Sequence, residues 1–226
     1  MSNVNILKLQ DCFKSLWQII AERQSVTPDM VSFKSGVIYA EEGYKYDILK
    51  RAAKIIEATP WEEAGLIGSG KISSMALELL AIRPNDGDQQ NLVDYRDIMF
   101  FADQTFSASA KEIEKALYIL FAKNEDKEAF NMLSRALNKK YALISYFFFL
   151  KDSTKYQVVR PKNFAERFPM IGAHPQCTLN CSWDNYQKYN SVLHEIYDFL
   201  NQNLNEDITL TDAHSFVWML WMLSNR

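Results

Sequence analysis

The sequence predicts a mostly α-helical fold, and three observations carry that prediction. Apolar residues recur at three- and four-residue spacing along most of the 226 positions. Only seven glycines and six prolines are present, too few for a turn-rich chain of short strands. Helix-start and helix-stop words also punctuate the sequence, such as Ser109-Ala-Lys-Glu112 and Thr59-Pro60. With 48% apolar residues the chain can bury a core without disulfides or metal. The expectation is one multi-helix domain over 1–226, with a soft joint near 104–108. A small β element near 141–159 is the alternative at one place.

The elements follow in order. Over 3–22, Ile6, Leu9, Phe13, Leu16, Trp17 and Ile20 share one helix face. Residues 24–44 contain Pro28, Gly36 and Gly43 and read as loop, with a short extended piece at GVIYA. Asp47 can cap a helix that runs to Ala58, and Thr59-Pro60 ends it, because the residue before proline is driven out of the helical region. ISSMALELLAI (72–82) reads as a helix stopped by Arg83-Pro84-Asn85-Asp86-Gly87. Residues 90–103 form the next, anchored by Leu92, Val93, Ile98 and Phe101. After a capping box at Ser109, Ile113, Ala116, Leu117, Leu120 and Phe121 make a clear stripe; 125–138 is helical with Phe130, Leu133 and Leu137 inward.

YALISYFFFL (141–150) is apolar nearly all round, so periodicity cannot separate a buried helix from a central strand. Its helical neighbours favour the helix, and KYQVV (155–159) is the one available hairpin partner. Residues 161–168 open with a proline in the first turn. Residues 183–203 form a long helix, and a last helix starts near Thr211.

Composition narrows the function classes. A net charge of −3 excludes a generically basic nucleic-acid binder, though not a local basic face. Three cysteines are too few for a disulfide framework, and the N-terminus lacks a secretory pattern. The longest apolar runs, 147–150 and 216–223, fall well below the ~18 residues that span a bilayer. The expected setting is the cytoplasm, with reduced thiols.

GLIGSGKISS (65–74) has the spacing of a phosphate-cradling P-loop. Such a loop needs a buried strand before its first glycine, and ATPWEEA supplies none. It also needs a hydroxyl after the lysine to hold Mg²⁺, where Ile72 stands. The expectation is a glycine turn into a helix, with Ser69 or Ser73 helping to cap it. The exposed amides and Lys71 could at most touch one phosphate. His174, Cys177, Cys181 and His194 lack the two tight ligand pairs of a zinc site, so no metal is expected. No nucleophile–base–orienter set stands out, and the pairs Glu62-Glu63 and Asp94/Asp97 read as surface acids. No catalytic residue and no cofactor is therefore expected.

Two surfaces remain. Residues 123–167 carry ten Lys/Arg against five Asp/Glu. With Lys71, the candidate nucleic-acid contacts are Lys139, Lys140, Lys155, Arg160, Lys162 and Arg167, interleaved with Tyr141, Tyr156 and Phe164. Residues 216–223 are apolar on every face, the mark of a helix that is either central to the core or covered by another chain. Phe216, Trp218, Trp221 and Met222 are the candidate interface residues, and Asp212, His214 and Ser215 read as capping and packing groups.

Several blocks taken together resemble a known module: IGSGKI (67–72), NLVDYRD (91–97), 139–172, CSWDNY (181–186) and DITLTDAHSFVWML (207–220). In this order they are similar to a helical module of bacterial restriction and phage-defence proteins, which often precedes an HNH-type nuclease. The resemblance covers 65–226 and implies a defence-related, DNA-associated setting. The chain ends six residues after Leu220, so the nuclease would lie on a separate subunit. The expected function is a non-catalytic module that docks a partner subunit or itself and contacts nucleic acid. The alternatives are a degenerate nuclease or nucleotide-hydrolysing enzyme, and a structural scaffold or phage-encoded interaction protein without DNA contact.

Overall fold

The computed structural model describes residues 3–83 and 91–224. Among them are twelve α-helices and no strand, so the fold is mostly α. Pro84, Asn85, Asp86 and Gly87, expected to stop the helix before them, lie outside the described residues. The chain forms two compact units: Met1–Lys45 with Arg160–Asn180 and Asp184–Arg226, and Tyr46–Val159 with Cys181–Trp183. The 104–108 segment lies inside the second unit.

Unit 1 is built on α1 (Ile6–Gln24). The Asn5 side chain caps this helix by accepting from the amides of Leu7 and Lys8. Leu9, Leu16, Trp17 and Ile20 are buried, while Ile6 at the start of the same stripe is exposed. Next comes α2 (Gly36–Glu42), where an extended GVIYA was expected. The helix wins because it puts Ile38 and Glu42, one turn apart, on a single buried face. A 15-residue helix, α3 (Tyr44–Ala58), begins in unit 1 and continues in unit 2.

Unit 2 contains α4 (Lys71–Ala81), α5 (Tyr95–Gln104), α6 (Ala110–Tyr118), α7 (Asp126–Ala136) and α8 (Tyr141–Lys151). The α8 segment settles the ambiguous apolar run as a helix, with every residue from Tyr141 to Leu150 buried. Its aromatic rings reach neighbours on several sides: Phe147 meets Phe101 at 5.5 Å, and Phe148 meets Phe130 at 5.7 Å and Tyr156 at 5.4 Å. No β element forms at 155–159, because the segment that would pair with it is helical. The Val159 amide instead donates to Ser145 Oγ at 2.9 Å, and Ser145 Oγ donates to the Tyr141 carbonyl. The expected capping box at Ser109 also fails. Ser109 has helical backbone angles, its side chain makes no cap hydrogen bond, and Glu112 faces Arg135 at 3.7 Å.

The chain returns to unit 1 through α9 (Pro161–Arg167) and the short α10 (Gln176–Leu179). The long α11 (Trp183–Asn203) and α12 (Leu210–Met219) follow. Thr209 and Asp212 form a true capping box on α12, each side chain accepting from the other residue's amide. Lys34 Nζ holds the same Asp212 carboxylate at 2.7 Å. A 3₁₀ turn, Leu220–Leu223, closes the described chain. Phe216 lies near Phe13 and Trp17 in the unit 1 core, with ring centroids 6.5 and 6.3 Å apart.

Candidate functional site

The glycine motif of unit 2 is a turn whose backbone demands glycine. Gly65, Gly68 and Gly70 have φ of +78°, +91° and +82°, in the left-handed region that disfavours a side chain. The turn delivers the chain into α4 and points amides inward, as a phosphate cradle would. The anion that fills it is the protein's own. Glu114, on α6 and buried, accepts from the Gly68 amide at 2.5 Å and from the Ser73 amide at 3.0 Å. Lys71 does not face this carboxylate; its ammonium is held by both oxygens of Glu63, at 2.6 and 2.7 Å. Ser69 supplies a further cap, accepting from the Lys71 amide at 3.2 Å, whereas Ser73 Oγ is buried without a hydrogen-bond partner. A carboxylate on helix-start amides is stabilised by charge-assisted hydrogen bonds and by the helix dipole.

In unit 1 a second polar cluster forms from residues far apart in sequence. Lys45 is fully buried, and its ammonium donates to the Glu42 carboxylate, to His214 Nδ1 at 2.8 Å and to Ser215 Oγ at 3.0 Å. These three partners match the three donors of an ammonium. Ser215 in turn donates to the Thr211 carbonyl at 2.9 Å. Burial pushes the Glu42 carboxyl above its ordinary range, and Lys45 partly offsets that. Burial likewise pushes the Lys45 ammonium down, and Glu42 partly offsets it. A lysine on a serine hydroxyl is the composition of an activated nucleophile, yet Lys45, His214 and Ser215 are all buried here.

The expected nucleic-acid contacts divide between the units. Lys71, Lys139, Lys140 and Lys155 belong to unit 2, and Arg160, Lys162 and Arg167 to unit 1. At least four of the seven are engaged within the fold. Lys71 pairs with Glu63, Lys140 with Asp97 at 2.8 Å, and Lys155 with Asp152 at 3.1 Å. Arg167 is buried with its guanidinium over the Trp218 ring at 4.7 Å. Lys139 and Lys162 stand exposed with no ion pair among the described residues.

Of the expected interface residues, Phe216 and Met222 are buried inside unit 1, which accounts for part of the all-round apolarity of 216–223. Trp218 and Trp221 are half-buried, the latter beneath the Arg23 guanidinium at 5.8 Å. Asp212, His214 and Ser215 are the capping and packing groups just described.

Among the described residues no group of three or more His, Cys, Asp or Glu side chains is placed to hold a metal ion. Burial pushes the Cys177 and Cys181 thiols up to about 11. Comparison with protein-family models, curated proteins and solved structures finds no match to this chain.

Three features escape the sequence reading. Glu114 interrupts no stripe and has no motif, so its capping role is invisible until α6 packs on α4. The i, i+3 spacing of Glu42 and Lys45 was the only local trace of the buried cluster. Glu125-Asp126-Lys127 is the one Glu-x-Lys in the chain and opens α7. There Asp126 is tied up by the Lys151 ammonium and by the Tyr156 hydroxyl at 2.6 Å.

Proposed function

We propose that the chain is a non-catalytic interaction module of a bacterial restriction or phage-defence system, acting in the cytoplasm by docking a protein partner. One observation carries the docking half. Glu114 is satisfied by backbone amides of its own unit, and Lys45, Glu42, His214 and Ser215 are satisfied within theirs, while large apolar side chains stand in solvent. Tyr95 is 64% exposed and Met99 44%, one turn apart on α5, with Phe106 at 89% just beyond the helix, a run of apolar exposure that favours contact with another surface. The defence setting comes from the resemblance of residues 65–226. Among the described residues no helix is long and apolar enough to cross a membrane.

The test is phage plating on bacteria carrying the chain with its genomic neighbours. Protection should be lost when the chain alone is removed; equal plating with and without it overturns the reading. Nucleic-acid contact is a second reading, favoured by the exposed Lys139 and Lys162. Duplex binding at low ionic strength should lose about one unit of log–log salt slope for each phosphate contact removed in Lys139→Ala and Lys162→Ala. Absence of binding at low salt removes that half of the proposal.

A further inference from the structure

We infer that α5 is a self-association surface, on which a second copy of this chain pairs antiparallel about a two-fold axis. The inference rests on reading the chain as an interaction module and names the partner of one surface. It starts from the exposed face of α5, which lies wholly within unit 2. Tyr95 is 64% exposed, Met99 44% and Phe106, just beyond the helix, 89%. At about 100° per residue, Tyr95 and Met99 lie within about 40° of each other on the wheel, and the turn after Gln104 carries Phe106 onto the same side. The opposite side of α5 is spent within the unit: Phe101 is buried against Phe147, and Asp97 is paired with Lys140.

Charge placement selects a second copy over a foreign partner. Arg96 and Asp103 are both exposed and stand seven positions apart, two helical turns. Both lie about 40–60° to the same side of Met99. They are also equidistant from the midpoint between Met99 and Phe100. A two-fold axis through that midpoint, at right angles to the helix, reverses α5 while keeping each edge of the face on its own side. Arg96 of one copy then meets Asp103 of the other, twice, and Met99 meets its own counterpart at the centre. Tyr95, on the other edge, falls between the second copy's Ala102 and Phe106.

Among the described residues the Arg96 side chain is paired with the Asp94 carboxylate at 3.2 Å and is itself 89% exposed, so it can change partner at little cost. Antiparallel pairing also sets opposite helix-dipole ends beside each other. One ten-residue face is smaller than the ~800 Å² per partner of a standard interface, so the dimer is concentration-dependent.

Light scattering after size exclusion, over a concentration series, tests this. The wild-type mass should rise from the 26.2 kDa monomer towards twice that value. Arg96→Asp alone and Asp103→Arg alone should each stay monomeric, because each sets like charges face to face. An equimolar mixture of the two variants should recover the rise, because their heterodimer restores both opposite-charge pairs. Each change suits its own end of the helix, an acid near the start and a base near the end, so both variants should keep wild-type circular dichroism. Met99→Lys, an exposed position, serves as a further variant and should also stay monomeric. A wild type that remains at 26.2 kDa throughout overturns the inference, as it must if the face serves a foreign protein. Undiminished dimer in both single variants, or a mixture no better than either alone, overturns it equally. None of these outcomes depends on phage plating, so the two proposals fail separately.

Discussion

Lys45→Met is expected to cost about 3–5 kcal/mol, because it leaves the Glu42 carboxylate buried without its cation. In a thermal melt, a chain of this size should lose roughly 10 °C. Glu42→Gln combined with Lys45→Met should cost less than Lys45→Met alone, since the double variant buries no lone charge. A double-mutant cycle measures that difference. The pH dependence has a definite sign. Burial already raises the Glu42 carboxyl above its ordinary 4.5, with Lys45 opposing that rise. Removing the ammonium raises it further. A carboxyl with a raised folded-state pKa favours folding below the unfolded value and loses that advantage as pH rises through the folded one. Lys45→Met should therefore lie closest to wild type near pH 4.5 and fall progressively behind it towards pH 7. A deficit independent of pH would show that Glu42 is not the group left behind.

Glu114→Ala carries the second large effect. It removes two charge-assisted hydrogen bonds and strands the amides of Gly68 and Ser73. At about 1.5–3 kcal/mol per bond to a charged group, the loss should be about 3 kcal/mol or more, read as a lower melting temperature. Glu114→Gln keeps one acceptor oxygen and should lose less. The glycines make the turn sterically attainable, but the carboxylate holds it in place, so Gly68 substitutions and Glu114→Ala should loosen the same segment in hydrogen exchange. A Glu114→Ala variant as stable as wild type would contradict the capping role.

The helices were readable because they are amphipathic or capped locally. The long α11 was legible from its stripe of Tyr186, Val192, Leu193, Ile196 and Leu200, and its observed bounds match the expected 183–203. The α8 segment was harder: its ten consecutive buried residues have no polar face to set a period, so only its helical neighbours pointed to the answer. GVIYA misled because its β-branched and aromatic residues suggest extension, while the burial of Ile38 with Glu42 is a tertiary fact. At Ser109 the Ser-x-x-Glu word was present, but the serine has helical backbone angles, from which its side chain does not cap the helix.

The candidate sites were legible only in part. The glycine word could be separated from a P-loop by its missing strand and hydroxyl. What fills it could not be read, because Glu114 lies 46 residues from Gly68 and 41 from Ser73. The buried cluster joins Lys45 to residues 169 and 170 positions away, beyond any local pattern. The apolar face of α5 was within reach of the sequence. Tyr95 and Met99 show helical spacing, but which face of a helix is left uncovered depends on what packs against the other.

If Glu114 closes GLIGSGK as a structural turn, the turn has no room left for a nucleotide phosphate. Calorimetric titration of Mg·ATP into wild type and Lys71→Ala tests it most directly. The expected result is no saturable binding to either protein. Saturable binding to wild type that disappears in Lys71→Ala would contradict it.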